Sequence, residues 1–196
     1  MTLHPKKTCI LRGPKKIGQE TVYETPWFAV QKLRYRTTDR YLTPYFRLKA
    51  RDGVFVLAIT DKREVILVRQ FRPAIGAWTH EMPAGRIEKC QTPLQAARRE
   101  LWEETGYVAT SWKRLGEGRL MMDRYSGKMH GWLAYGAKKK SSPKNRRKYP
   151  VIRVGLREFY VWMKRHKFEQ IGGLGFLLCG LFRYPKELGE FLRHDP

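Results

Sequence analysis

A mixed α/β fold is predicted by the alternation of two kinds of apolar pattern along the chain. Short segments rich in aromatic and β-branched residues indicate strands, and the clearest helical segment lies between such strands. Of the 196 residues, 42% are hydrophobic and 13% are aromatic, which is enough to form a sizeable core. We therefore expect one globular domain over residues 21–196, after a basic and flexible segment at residues 1–20.

The first half of the chain is predicted to consist mainly of strands, because aromatic and β-branched residues favour extended backbone. A turn is expected at Asp52-Gly53 and another at residues 61–63, so the segments flanking the second turn should pair as a hairpin. The predicted strands cover residues 23–36, 45–49, 54–60 and 64–70. The prolines and glycines of residues 71–85 predict a loop after the last of these strands.

The best helix is predicted over residues 92–106. Thr92 is suited to cap its N-terminus, Pro93 fits the first helical position and Gln95 completes a capping box. Gly106 stands where a helix commonly ends in the left-handed conformation.

The remainder of the chain alternates between strands and helices. A charged loop from Lys138 to Lys148 contains seven basic residues and no acidic residue. Strands are expected at residues 113–121, 131–136 and 151–156, and helices at residues 157–166 and 172–182.

The charge balance and the cysteines bear on partners and location. There are 40 Lys and Arg against 18 Asp and Glu, a net charge of +22, which predicts attraction to polyanions or, equally well, a solvated basic surface. The three cysteines are widely spaced and form no metal or disulfide pattern, so a reducing, cytoplasmic compartment is expected. We expect neither a secretory signal nor a membrane span, since long apolar runs are lacking.

Three glutamates of the predicted helix form the strongest chemical signal. Glu100, Glu103 and Glu104 stand at helical spacing i, i+3 and i+4, so their carboxylates share one face and repel one another. Carboxylate oxygens suit Mg²⁺ or Mn²⁺ shared with substrate phosphates. The alternative interpretation is a solvated acidic face.

The surrounding residues resemble the Nudix box. That pattern is Gly, five residues, Glu, seven residues, Arg-Glu, an aliphatic residue, any residue, Glu-Glu, any residue, Gly and a hydrophobic residue. Gly85 opens the match, and the sequence RELWEETGY from Arg99 to Tyr107 closes it at the required spacing. Gln91 is the single departure, where the pattern has Glu; in the family that glutamate supports the loop and the box arginine. Glutamine retains the hydrogen bonding but not the charge, so reduced activity is one consequence.

A longer resemblance, over about residues 23–182, is to the ADP-ribose pyrophosphatase branch, which includes hydrolases of GDP-mannose and other nucleoside diphosphate sugars. Residues 68–73 (VRQFRP), Trp78 and residues 81–85 (EMPAG) carry it. The resemblance implies an α/β/α sandwich around a mixed sheet, with N-terminal strands that serve dimerisation. It also implies that water attacks a diphosphate, giving a nucleoside monophosphate and a sugar phosphate.

The resemblance further implies a set of site residues. The expected catalytic residues are Glu103, Arg99 and Glu100, and the expected metal ligands are the Ala84 carbonyl, Glu100, Glu103 and Glu104. The expected substrate-binding residues are Arg69, Arg72, Trp78, Glu81, Trp27 and Phe28. The alternative for the arginines is surface charge on a strand, and for the aromatic residues it is a place in the core.

The general base is left open by the sequence. In the ADP-ribose branch an acidic residue before a late strand commonly fills that role, but the loop from Lys138 to Lys148 has none and would instead clamp an anionic substrate or contact RNA. Glu117 and Asp123 are possible substitutes. His80 and His130 are expected to be satisfied locally rather than to act as bases.

Three functions are consistent with these residues. The leading one is a Mg²⁺- or Mn²⁺-dependent nucleoside diphosphate-sugar hydrolase, with ADP-ribose as the foremost substrate. The second is a Nudix hydrolase of RNA 5′ ends or dinucleoside polyphosphates, which the net charge favours. The third is a non-catalytic Nudix module that binds RNA, favoured by Gln91 and the acid-free loop but opposed by the intact glutamates.

Overall fold

The computed structural model describes residues 13–36, 41–140 and 149–189. The chain divides into two compact units, one comprising Met1–Ala50 and Met121–Ser126 and the other Arg51–Leu120 and Gly127–Pro196. Cys9 and most of the predicted basic segment lie outside the described residues. No helix within the described ranges is long and apolar enough to cross a membrane.

The first unit contains a three-stranded antiparallel sheet in the order β1-β2-β3. Its strands are β1 (Lys15–Glu24), β2 (Ala29–Arg36) and β3 (Tyr41–Lys49). The prediction of one strand over residues 23–36 is therefore wrong, and strand β1 begins at Lys15, within the predicted basic segment. A turn interrupts the predicted strand because the Thr25 hydroxyl accepts hydrogen bonds from the backbone N–H groups of Trp27 and Phe28 at 3.2 and 3.0 Å.

The second unit holds an eight-stranded mixed sheet. Its strands are β4 (Gly53–Thr60), β5 (Glu64–Arg72), β6 (Ala77–Glu81), β7 (Ala84–Arg86), β8 (Tyr107–Val108), β9 (Ser111–Gly118), β10 (Met129–Lys139) and β11 (Val151–Gly155). Its helices are α1 (Pro93–Thr105), α2 (Leu156–Lys164), α3 (Ile171–Arg183) and α4 (Pro185–Leu188).

The sheet contains both parallel and antiparallel pairs of strands. The central path is β11-β5-β4-β10-β8, in which β4 and β10 are parallel and the other neighbours are antiparallel. The predicted hairpin is confirmed, since Ala58 pairs with Ile66 and Ile59 with Val65. The predicted loop over residues 71–85 is wrong, because β6 pairs with β5 and β7 pairs with β4. Proline and glycine there mark the short turns between paired strands.

Two layers of helices cover this sheet. Alternate residues of β4 face opposite sides, so Val54, Val56 and Ala58 belong to a core with α1. Phe55, Leu57 and Ile59 belong to the larger core, to which α2, α3 and α4 contribute. This arrangement confirms the expected α/β/α sandwich around a mixed sheet.

Helix α1 has the termini that its sequence predicts. The Thr92 side chain accepts a hydrogen bond from the Gln95 backbone N–H, and the Gln95 side chain accepts one from the Thr92 N–H. Gly106 ends the helix in the left-handed region at φ 75° and donates its N–H to the Trp102 carbonyl. Both ends of the glutamate-bearing helix are thus fixed by local chemistry.

Candidate active site

The short strand β7 brings backbone atoms against the glutamates of α1. The Ala84 N–H donates a hydrogen bond to Glu104 Oε2 at 3.1 Å. A Cβ atom on Gly85 would stand only 2.0 Å from Glu100 Oε1, so the absence of a side chain at Gly85 makes room for this carboxylate. Glu100 and Glu104 are 1% and 2% exposed, which means that the fold holds two carboxylates in its interior beside a backbone segment.

The guanidinium of Arg99 neutralises part of this charge. It donates to Glu100 Oε1 at 2.8 Å, to Glu103 Oε2 at 2.9 Å and to the Arg86 carbonyl at 2.8 Å. Burial by itself would lower the pKa of Arg99, but the two carboxylates raise it above its ordinary value. Arg99 therefore stays charged and orients Glu100 and Glu103.

Gln91 takes part in the same network. Its side-chain oxygen accepts a hydrogen bond from Arg99 Nε at 3.4 Å and one from the Glu88 N–H at 3.2 Å. The departure from the box pattern thus retains hydrogen bonds to the arginine and to the loop. It lacks the negative charge that a glutamate would place beside Arg99.

The residues of this cluster fit a divalent cation in their donor chemistry. Carboxylate and carbonyl oxygens are the ligands that Mg²⁺ and Mn²⁺ prefer, and Glu100 and Glu104 both lie against the Ala84-Gly85 backbone. Within the part of the chain that the structure describes, however, no group of three or more His, Cys, Asp or Glu side chains is arranged to hold a metal ion. Arg99 holds two of the carboxylates, those of Glu100 and Glu103, in ion pairs.

A third buried carboxylate, that of Glu81, is the centre of a hydrogen-bond network near this cluster. It accepts hydrogen bonds from Arg72 Nε at 2.6 Å, Arg72 Nη2 at 2.5 Å and the Thr79 hydroxyl at 2.6 Å. The side-chain amides of Gln170 and Gln70 donate to Glu81 Oε2 at 3.2 and 3.4 Å. Burial would raise the pKa of Glu81, but these donors, led by Arg72, lower it below its ordinary value. An ionised carboxylate with its lone pairs engaged is a poor proton acceptor and a good anchor for Arg72.

The predicted substrate-binding residues of β5 and β6 lie on two opposite faces of the hairpin that these strands form. Ile66 packs in the core under α1, so Arg72, six residues along the same strand, faces that side. Arg69 and its cross-strand neighbours face the other side, which α2 and α3 cover. There the Arg69 guanidinium lies 4.9 Å from the Trp78 ring centroid, Phe71 contacts Trp78 edge to face at 5.8 Å, and His80 packs on Trp162 at 5.1 Å.

An open cleft of about 340 Å³ runs along β6 and the loop before α3. Arg72 and Glu81 line it together with Trp78, Lys167 and Gln170. Gln170 and Thr79 are site residues that sequence reasoning missed. Nothing in the sequence distinguishes Gln170, because it stands 89 positions after Glu81 and only the fold brings the two into contact.

The other candidates belong to other elements of the chain. Trp27 is 66% exposed and Phe28 38% exposed, and both belong to the turn between β1 and β2 in the first unit. Glu117 forms ion pairs with Arg114 at 2.8 Å and Lys128 at 3.2 Å, and it lines a different, mainly apolar cleft beside α3. Asp123 belongs to the first unit.

The two histidines have local partners, as expected. The imidazole of His130 is buried between Glu117 at 3.5 Å and Asp52 at 3.8 Å. Burial and the nearby Arg69 lower the pKa of His80 below its ordinary value. The loop from Lys138 to Lys148 is described only as far as residue 140, and Lys138 and Lys139 end strand β10.

Comparison with known proteins supports the resemblance inferred from sequence. A family model described as NUDIX domain matches residues 49–167. The ADP-ribose pyrophosphatase of Bacillus subtilis (strain 168) is 49% identical over 57 residues, 29% of this chain and 31% of that protein. The ADP-sugar pyrophosphatase of Mus musculus is 37% identical over 101 residues, 46% of each chain. The chain therefore matches less than half the length of these curated relatives.

The fold also has a counterpart among solved structures. A structure described as the crystal structure of ADP compounds hydrolase superposes with a TM-score of 0.78 at 21% sequence identity. The superposition covers 91% of this chain and 97% of the other. At this identity the match establishes the fold.

Proposed function

Because the chain belongs to the Nudix family, we propose that it hydrolyses the diphosphate of a nucleoside diphosphate sugar in a reaction that depends on a divalent cation. The products are a nucleoside monophosphate and a sugar phosphate, and ADP-ribose is the foremost substrate. The names of the relatives from Bacillus subtilis and Mus musculus support the substrate class.

The observation that carries the proposal is the burial of Glu100 and Glu104 against the Ala84-Gly85 backbone. Buried carboxylates are costly unless a cation or strong hydrogen bonds compensate them. A helix that served only as scaffold would be more stable with apolar residues at these two positions. The retention of both acids is therefore best explained by chemistry that needs their charge.

The metal ligands are proposed to be the Ala84 carbonyl, Glu100, Glu103 and Glu104. Mg²⁺ or Mn²⁺, when bound, would neutralise the diphosphate and make water nucleophilic. Arg99 orients Glu100 and Glu103, as its hydrogen bonds to both carboxylates support. Glu103 is the more accessible of the three glutamates, with its side chain 33% exposed. It is therefore our candidate for the group that orients the attacking water.

The diphosphate is proposed to bind to Arg72, because a guanidinium suits bidentate contact with phosphate oxygens. Glu81 fixes the orientation of Arg72 and acts as an anchor rather than as a base. Trp78, Arg69, Trp27 and Phe28 are proposed contacts for the base and ribose. Of these, Trp78 has the best support, since it lines the cleft with Arg72.

The remaining proposals concern partners and location. We propose a homodimer formed through the N-terminal strands, nonspecific RNA contact through Lys138 to Lys148, and a cytoplasmic location. The last is supported by the cysteines, of which Cys90 and Cys179 are exposed and unpaired.

The deciding experiment is phosphate-coupled turnover of ADP-ribose, GDP-mannose, ADP-glucose, UDP-glucose and diadenosine polyphosphates, each with Mg²⁺, Mn²⁺ or EDTA. Alkaline phosphatase reports the monophosphate product. We expect metal-dependent turnover of a nucleotide sugar that EDTA abolishes. Turnover of only the dinucleotides would replace the proposed substrate, and turnover of none would refute the nucleotide-sugar hydrolase and favour an RNA substrate first, then a binding role.

A further inference from the structure

The three-stranded sheet of the first unit has one face that the proposed reaction does not use. Residues paired across antiparallel strands share a face. Glu20, Lys32 and Phe46 pair across all three strands, and Arg34 and Arg36 follow Lys32 at alternate positions of β2. We call this surface the basic sheet face, which comprises Lys15, Glu20, Tyr23, Lys32, Arg34, Arg36 and Phe46.

Only this side of the sheet is open to solvent along β2. The intervening residues Ala29, Gln31 and Leu33 are 7%, 2% and 2% exposed, so the opposite side is covered. Arg34 and Arg36 are exposed. Burial on one side fixes the register of β2, because a slip of one residue would bury the arginines instead.

The basic sheet face carries an uncompensated positive charge. It holds four cationic side chains and one acid, Glu20. Among the residues that the structure describes, no ion pair engages Lys32, Arg34 or Arg36. A cluster of unpaired cations on a chain of net charge +22 attracts a polyanion.

Aromatic rings lie among these cations. Phe46 is 46% exposed and Tyr23 is 61% exposed, although both are large apolar side chains. The guanidinium of Arg34 lies against β1 at Gly18, where an added Cβ would stand 2.8 Å from Arg34 Nε. The planar group is therefore seated on the sheet, where it can stack on a base as the two rings can.

We propose that the basic sheet face binds single-stranded nucleic acid, with its phosphates on the cations and its bases on Phe46, Tyr23 and Arg34. Aromatic rings interleaved with cations suit a strand whose bases are free to stack. A second copy seated face to face on this surface is disfavoured, because a two-fold interface would oppose the same cations, so the proposed homodimer is expected to use other surfaces of the N-terminal strands. An anionic membrane would use the charge but has no bases for the rings.

Fluorescence anisotropy of a labelled single-stranded RNA of about 12 nucleotides tests the proposal on the full chain. The triple variant Lys32→Gln, Arg34→Gln, Arg36→Gln should raise the Kd by about tenfold or more. It should also reduce the magnitude of the slope of log K against log salt by about 2, since each phosphate contact on a single strand contributes ~0.7. Phe46→Leu should raise the Kd by about fivefold without changing the slope.

A matched control removes the same charge elsewhere. Arg157→Gln, Lys164→Gln, Arg165→Gln alters three exposed cations at helix α2 of the second unit. Equal weakening by both triple variants, or none by the first, would overturn the proposal in favour of general attraction by net charge. If the triple variant loses binding only to phosphatidylserine vesicles, the face is a membrane surface instead. If it converts a dimer into a monomer without affecting RNA, the face is a self-association surface.

The variant Arg34→Lys keeps the proposal testable if the triple variant does not fold. It retains the charge but not the planar group, so RNA affinity should fall while the salt slope is unchanged. An unchanged affinity for this variant and for Phe46→Leu would exclude stacking on this face. A DNA of the same sequence shows whether the binding depends on the 2′-hydroxyl.

Discussion

At the scale of single residues, the charged side chains of the candidate site hold one another through hydrogen bonds and ion pairs. Arg99 engages Glu100, Glu103 and Gln91, and Arg72 engages Glu81. The charge of a buried group is retained only when its partners are in place. Removing one partner should therefore affect function more than the exposure of the residue would suggest.

Glu104→Gln should reduce turnover of the best substrate by about 10³-fold or more, because the proposed metal ligand loses its charge. Isothermal titration with Mn²⁺ should show a parallel loss of metal affinity. Glu158→Gln, on the exposed side of α2, is the control and should behave as wild type. Full activity of Glu104→Gln would refute the metal assignment.

Gln91→Glu should retain or raise activity. The Gln91 oxygen already lies 3.4 Å from Arg99 Nε, so a carboxylate there would strengthen the attraction without moving the loop. Steady-state kinetics at saturating metal measures the effect on kcat. A large loss of kcat would mean that the present balance of charge around Arg99 is the functional one.

Glu81 makes the stability of the protein depend on pH. Its pKa in the folded chain is lower than its ordinary value of 4.5, so its stabilising effect is present above that pH and is lost as the pH falls through the folded value. Glu81→Gln should lower the Tm most at neutral pH, and the difference from wild type should narrow below about pH 4.5. Thermal melts across this range measure it, with Glu158→Gln as a control that should show no narrowing.

At the scale of elements, the start of helix α3 supports the hairpin that holds Arg72. The side chain of Gln170 accepts a hydrogen bond from the Met82 N–H at 3.0 Å and donates one to Glu81 at 3.2 Å. One residue thus joins α3 to the last residue of β6 and to the residue after it. A helix on the far side of the sheet is in this way tied to the residue proposed to contact phosphate.

Gln170→Ala should raise the KM for the sugar nucleotide by about tenfold, the effect of one or two lost hydrogen bonds, and leave kcat within about threefold. The split between KM and kcat distinguishes a positioning role from a general loss of stability. Gln95→Ala removes a comparable hydrogen bond at the start of α1 and is the matched control. Equal KM effects in both variants would contradict the role given to Gln170.

At the scale of the whole molecule, the net charge of +22 opposes compaction. Salt at about 300 mM screens repulsion between charges beyond a few ångströms more fully than salt at about 20 mM. The Tm should therefore rise by about 2–4 °C between these concentrations. A fall in Tm would show that ion pairs such as Arg72–Glu81 contribute more than the repulsion costs, and differential scanning fluorimetry decides between the two.

The sequence by itself determined the family, the glutamate-bearing helix α1 and its limits. These follow from local chemistry, because a capping box, a terminal glycine and glutamates at spacing i, i+3 and i+4 act within a few residues of one another. The hairpin of β4 and β5 was predictable for the same reason. Strands β6 and β7 were not, since their pairing with β5 and β4 depends on partners that a local pattern does not reveal.

The tertiary structure alone decided which candidate residues share a site. Register placed Arg72 on the side of α1 and Arg69 on the other, although only two residues separate them in sequence. The tertiary fold also brings Gln170 into contact with Glu81, although 89 positions separate them in sequence. It places the Arg34 side chain against Gly18 of the neighbouring strand. Side-chain direction in a sheet alternates with every residue, so a site built on strands is fixed only once strand pairing is known.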